Sequence, residues 1–147
     1  MISKTGGASG PLYGTGFRQA AKALGDQSDI SASQLGSALQ AYLAGIQQLG
    51  AAAEGDKTMV DALAPGVRAY QAAIDTGADI AQATRAAASA AARGLHDTVA
   101  MQARKGRASY LGPRTVGHKD PGAASTTLIL QALATAAERS TMEGAPA

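Results

Sequence analysis

Apolar residues recur at steps of three and four along most of the chain, most clearly at Leu35, Leu39, Tyr42, Ile46 and Leu49. That spacing marks one face of an α-helix, and the stripe reads as core rather than site. The helix should start at Ser31 or Ser33 and end at Gly50. An earlier stripe of Phe17, Ala20, Ala21 and Leu24 predicts a helix with Ser9 or Gly10 near its cap and Pro11 as its first residue. It should stop near Gly25-Asp26. A third helix is predicted from Thr58 through Val67, Tyr70 and Ile74 to Gly77, with Thr58 and Asp61 spaced like a capping box. Pro65-Gly66 should bend or interrupt it. Residues 79–104 read as one long or briefly broken helical region, with Gly94 as the point of any break and Arg104 and Lys105 closing it against the negative end of the helix dipole. The last helix runs from about Ala123 through Leu128, Leu130 and Leu133 to Glu138, and the tail beyond Glu143 should fray.

Alternating β-branched and aromatic residues are scarce, so strands find little support. The expectation is an all-α fold forming a single domain over residues 1–147, with loops at 25–30, 50–58 and 105–122. Composition sharpens this. Hydrophobic residues make up 46% of the chain with one Phe, four Tyr and no Trp, so alanine carries the core and helices must approach closely. A formal charge of +2 is too weak to imply nucleic acid, and no aromatic residues interleave with a basic patch. The absence of cysteine excludes disulfides and thiol chemistry and agrees with a cytoplasmic setting. No apolar run approaches membrane-spanning length, so no membrane partner is expected. Met1–Thr5 lacks the pattern of a signal peptide.

Candidate chemistry gathers in one stretch. Residues 106–122 carry Gly106, Gly112, Gly117, Gly122, Pro113 and Pro121, with Arg107, Arg114, His118 and Lys119 between them and Asp120 as the single carboxylate. Two other glycine-rich turns, at 6–14 and 50–59, also adjoin helices. Brought to one end of a bundle, the three would form a rim of N–H donors and cations suited to phosphates. A solvated basic loop is the competing reading for 106–122. Gly55-Asp56-Lys57 reads either as a phosphate or metal turn or, preferably, as a plain helix start. His96 and His118 are far apart and the carboxylates are scattered, so no metal ligands are assigned.

Gly6-Gly-Ala-Ser-Gly-Pro-Leu-Tyr-Gly14, Gly55-Asp-Lys-Thr-Met59, Met101-Gln-Ala-Arg-Lys-Gly-Arg-Ala-Ser-Tyr-Leu-Gly112 and Gly117-His-Lys-Asp-Pro-Gly122 resemble one family nearly end to end. It is the nucleotide-binding L subunit of dihydroxyacetone kinase, equally the C-terminal domain of the single-chain ATP-dependent enzyme. The resemblance implies a barrel of antiparallel amphipathic helices holding Mg-ADP or Mg-ATP at one end. It also implies two partners: a phosphotransferase-system M subunit that rephosphorylates the bound nucleotide, and a K subunit that holds dihydroxyacetone. Carried over to matching positions, Ala8 and Ser9 meet the phosphates and Gly50 and Met59 lie along the nucleotide, with Met59 against adenine. Arg107 pairs with phosphate and is the catalytic candidate, while Asp120, Pro121 and Gly122 line the same pocket.

Members of the family carry two further helices and a Gly-Asp-Gly-Asp type loop before the first motif, whose aspartates hold two Mg²⁺ ions. Here the sequence begins five residues before that motif. The expectation is an incomplete barrel without its N-terminal helices and metal ligands, impaired in catalysis and prone to self-association through uncovered apolar surface. A kinase component for another small ketose such as erythrulose, and a non-catalytic partner-binding module, are the alternative readings.

Overall fold

The computed structural model describes residues 8–143 and, among them, five α-helices and two short 3-10 segments with no strand. The helices are α1 (Ser9–Leu24), α2 (Ala32–Gly50), α3 (Val60–Asp75), α4 (Ile80–Asp97) and α5 (Pro121–Glu143). The 3-10 segments span Thr98–Ala100 and Arg107–Thr115. The predicted turn residues Gly6 and Gly7 and the tail beyond Glu143 lie outside the described residues. Each helix packs on the next, and α5 also reaches back to α3.

Four of the five stripe positions on α2 are core as expected: Leu35, Leu39, Tyr42 and Ile46 are buried against Val60, Leu63, Val67 and Tyr70 of α3, whereas Leu49, in the last turn, is 53% exposed. Ser31 starts α2 with a complete capping box, its hydroxyl accepting from the Gln34 N–H and the Gln34 side chain accepting from the Ser31 N–H. On α1 the buried face differs from the predicted one. Gly10, Tyr13 and Gly16 turn inward, whereas Phe17 is 42% exposed and packs edge-on against Tyr42 at the margin. Helix α1 begins at Ser9, which makes Pro11 its third residue rather than its first. That shift is harmless, because the first four N–H groups of a helix have no intrahelical acceptor.

Neither Pro65 nor Gly94 interrupts its helix. Pro65 lies inside a continuous α3, and Gly94 lies inside a continuous α4. They share a cause. Pro65 cannot donate to the Asp61 carbonyl four residues back, and that carbonyl is the group against which Gly94 packs. A Cβ at position 94 would stand 2.1 Å from the Asp61 oxygen. Gly94 is therefore the point of closest approach of α4 to α3, and alanines at 83, 87 and 91 continue that close face.

Helix α4 also ends earlier than predicted, at Asp97 rather than near residue 104. The buried Thr98 closes a turn by donating its hydroxyl to the Leu95 carbonyl, and it accepts the Asp120 N–H at 3.0 Å. Met101 is extended. Arg104 and Lys105 are therefore loop residues and do not serve a helix terminus.

Candidate functional site

The start of α1, the end of α2, the loop before α3, the 105–108 turn and the start of α5 meet around a cavity of about 590 Å³. Ala8, Ser9, Gly50, Met59, Arg107, Asp120, Pro121 and Gly122 all line it, although they come from five separate stretches of chain. Leu12, Ile46, Leu49 and Val60 give it an apolar side. Lys57, Thr58 and Lys105 add polar groups that sequence reasoning did not assign to the site. Such a mixture of apolar wall and few convergent polar groups is typical of a small-molecule site.

The first turn of α5 is built around a buried acid. Asp120 is 7% exposed, and its Oδ2 accepts the Ala123 N–H at 2.7 Å, an N-cap with Pro121 in the first helical position. Burial raises the Asp120 pKa, opposed by the Ala123 N–H, and the nearby Asp61 charge raises it further. The Gly122 N–H and the Lys57 charge lower it, so the upward shift is the balance of opposed influences. Gly122 is small for a reason. A Cβ there would stand 2.9 Å from Asp120 Oδ2 and 3.2 Å from the Met59 nitrogen.

Across the cavity, α1 begins after Ala8 without a side-chain cap among the described residues and with no acid in its first turn. Tyr13 links the two helix starts. Its hydroxyl donates to the Gly122 carbonyl at 3.3 Å and lies 2.6 Å from Ser125 Oγ and 3.1 Å from Thr126 Oγ1. Arg107 opens the second 3-10 segment, is exposed at the rim, and makes no salt bridge among the described residues. Arg114, His118 and Lys119 are exposed but do not line the cavity.

The loop before α3 is tied down from inside. Asp61 is buried and accepts N–H groups from Gly55 at 2.5 Å and Thr58 at 2.7 Å. The Thr58 hydroxyl accepts from Val60 at 3.1 Å. This is a variant of the expected capping box, with the threonine reaching the second residue instead of the third. Among the described residues no group of three or more His, Asp or Glu side chains is placed to hold a metal ion. Asp120 is the one carboxylate among the described residues that line the cavity, and its Oδ2 accepts the Ala123 N–H.

The DAK2 domain profile matches residues 1–135. The chain belongs to the DAK2 domain family. It is 41% identical over 138 residues to the PEP-dependent dihydroxyacetone kinase, ADP-binding subunit DhaL, of Escherichia coli (strain K12), covering 94% of this chain and 66% of that protein. The PEP-dependent dihydroxyacetone kinase 1, ADP-binding subunit DhaL, of Listeria innocua serovar 6a is 43% identical over 133 residues, 90% of this chain and 61% of that one. The chain thus spans about two thirds or less of the length of these relatives. In three dimensions it is similar to the dihydroxyacetone kinase of C. freundii (native form), with a TM-score of 0.63 and 28% identity over 92% of this chain and 22% of that one. The all-helical architecture is that of the dihydroxyacetone kinase fold.

Within that DAK2 architecture, Lys57 is the residue that sequence reasoning missed most plainly. A left-handed backbone (φ 60°) and a buried ammonium distinguish it from an ordinary helix-start lysine. Its signal was present in the Gly55-Asp-Lys turn, but nothing in the turn reveals which segment the ammonium will meet. No helix among the described residues is long and apolar enough to cross a membrane.

Proposed function

We propose that this chain is the ADP- or ATP-binding part of a dihydroxyacetone kinase, handing a phosphoryl group to dihydroxyacetone held on a separate K-type subunit. The observation that carries the reading is the convergence of eight residues from five stretches on one cavity of about 590 Å³. Adenine would lie on the apolar side against Met59, and the phosphates would lie between the open start of α1 and Arg107. Arg107 would supply the charge that phosphoryl transfer needs, since such catalysis rests on positioning and electrostatics. The 41% identity to an ADP-binding subunit of a PEP-dependent kinase supports a phosphotransferase M subunit as second partner and a cytoplasmic setting.

Asp120 is the one carboxylate among the described residues lining the cavity, and its Oδ2 already accepts the Ala123 N–H. Transfer by this chain alone is therefore proposed to be impaired, while nucleotide binding persists. Leu128, 65% exposed on α5, is proposed to contribute to self-association, and Leu128→Ser should shift sedimentation toward monomer. The reading is tested by titrating the purified chain with ADP, with and without Mg²⁺, in a calorimeter. Saturable binding that GMP does not compete away is expected. No heat and no competition at millimolar ADP would refute it.

A further inference from the structure

We propose that Lys57 is a positioning residue: its ammonium fixes the segment from Met101 to Thr115 and so sets where Lys105 and Arg107 stand on the cavity wall. Lys57 is 3% exposed and has a backbone conformation that L side chains rarely adopt (φ 60°). Its Nζ donates to the Met101 carbonyl at 2.9 Å and to the Thr115 carbonyl. No carboxylate forms a salt bridge with it among the described residues. A buried ammonium is costly unless hydrogen-bonded, so these two carbonyls and Lys57 depend on one another.

The two acceptors lie at opposite ends of the segment that carries Lys105, Gly106 and Arg107. Lys57 therefore closes the base of a loop whose tip faces the cavity. Neutral bonds reinforce the closure: the Ala103 N–H donates to Thr115 Oγ1 at 2.9 Å, and the Arg104 N–H donates to the Asp56 carbonyl at 3.0 Å. Arg107 itself is exposed and makes no salt bridge among the described residues. Its placement rests on the loop, and the loop rests on the ammonium buried at its base. The consequence for ligand binding rests on the nucleotide reading above, whereas the closure of the loop does not.

Amide hydrogen exchange on the full chain tests the closure, comparing wild type with Lys57→Met and with Val67→Ala as a core control. Hydrogen bonds to a charged donor correspond to ~10- to 100-fold in an opening equilibrium. Lys57→Met should therefore accelerate exchange at Ala103 and Val116 by about that factor while α2 and α3 stay near wild type. Val67→Ala should loosen the core without singling out this segment. The ADP dissociation constant should rise by ~10-fold or more in Lys57→Met, as the loop entropy is then borne by binding. In the wild-type chain the ¹⁵N signal of the Lys57 ammonium should exchange with water far more slowly than those of exposed lysines, a measurement that holds even if the variant fails to fold. Fast ammonium exchange in wild type, or acceleration spread evenly over all helices in Lys57→Met, would overturn the proposal. If wild type binds no adenine nucleotide, the nucleotide reading fails and the exchange comparison still judges Lys57.

Discussion

Two helices begin at the same cavity and are finished in opposite ways. At α5 the Asp120 carboxylate accepts the Ala123 N–H, and Pro121 contributes no N–H at all. At α1 the residue before the helix is Ala8, and among the described residues no side chain caps the first turn and no acid lies within it. The N–H groups of a helix's first turn need acceptors from outside the helix. One start therefore carries its own internal anion and repels another, while the other has no anion of its own among the described residues and suits one from the cavity. We infer that the phosphates of a nucleotide go to α1 and that Asp120 shapes the pocket rather than binding them. Tyr13 holds the two starts together, so a change at one is felt at the other.

The largest effect should come from the cation that shares the open start. If Arg107 pairs with phosphate as proposed, Arg107→Ala would remove a charge-assisted contact of about 1.5–3 kcal/mol, so ADP affinity should fall ~10- to 100-fold. Lys105 is not a bland control for this test, because it lies in a loop and lines the cavity itself. Arg114 is the better control: it is exposed off the cavity, and its Nε–H donates at 3.4 Å to the Leu111 carbonyl of its own turn. Calorimetric titration of both variants decides the matter. Equal losses would mean that the 106–122 stretch acts as a diffuse basic surface.

The second test addresses the two helix starts directly, through stability. Asp120→Ala removes the cap and should cost about 0.5–2 kcal/mol. Ser9→Ala leaves the backbone N–H groups of α1 intact and should stay within about 0.5 kcal/mol of wild type. Urea unfolding of the two variants measures the contrast. If Ser9→Ala costs as much as Asp120→Ala, α1 is capped after all and the difference between the starts disappears.

Much of the helical frame was legible because α2 and α3 carry large apolar side chains at helical spacing. Leu35, Leu39, Tyr42 and Ile46 announce their face, whereas the sequence left the start at Ser31 or Ser33 and the capping box with Gln34 decides for Ser31. Helix α4 was harder to delimit, since alanine favours helix everywhere and cannot mark an end. Its end is set by Thr98, whose hydroxyl meets a backbone N–H from residue 120, a long-range contact. The packing role of Gly94 and Pro65 was hidden for the same reason. Locally each signals a break, and only their meeting across two helices shows a packing contact. The site residues were reached through resemblance to a family, because spacing alone yields three glycine-rich turns and no reason for them to converge. Lys57 escaped both routes. Its role depends on two main-chain carbonyls, which leave no trace in side-chain patterns.

The smallest effect separates the charge at Asp120 from its cap. Asp120→Asn keeps an N-cap acceptor but cannot ionise. In the native protein burial raises the Asp120 pKa above the ordinary value of 3.8, so the folded chain binds this proton more tightly than the unfolded chain does. The associated stability is then fully present below that ordinary value and is lost as pH rises through the higher folded value. Wild type should accordingly gain stability on Asp120→Asn as pH falls from neutrality toward about 4. Glu54, whose pKa is lowered by its hydrogen bond to Arg68, pulls stability in the opposite direction, but it does so in both proteins and cancels in the comparison. The gain should be modest, because the Ala123 and Gly122 N–H groups and the Lys57 charge all favour the ionised form and offset much of the burial. Urea unfolding of both proteins at a series of pH values reads the difference directly. A wild type that loses ground to Asp120→Asn on acidification would show that cap bonds and Lys57 outweigh burial. The acid at the start of α5 would then be held as a stabilised anion, a stronger form of the contrast with the open start of α1.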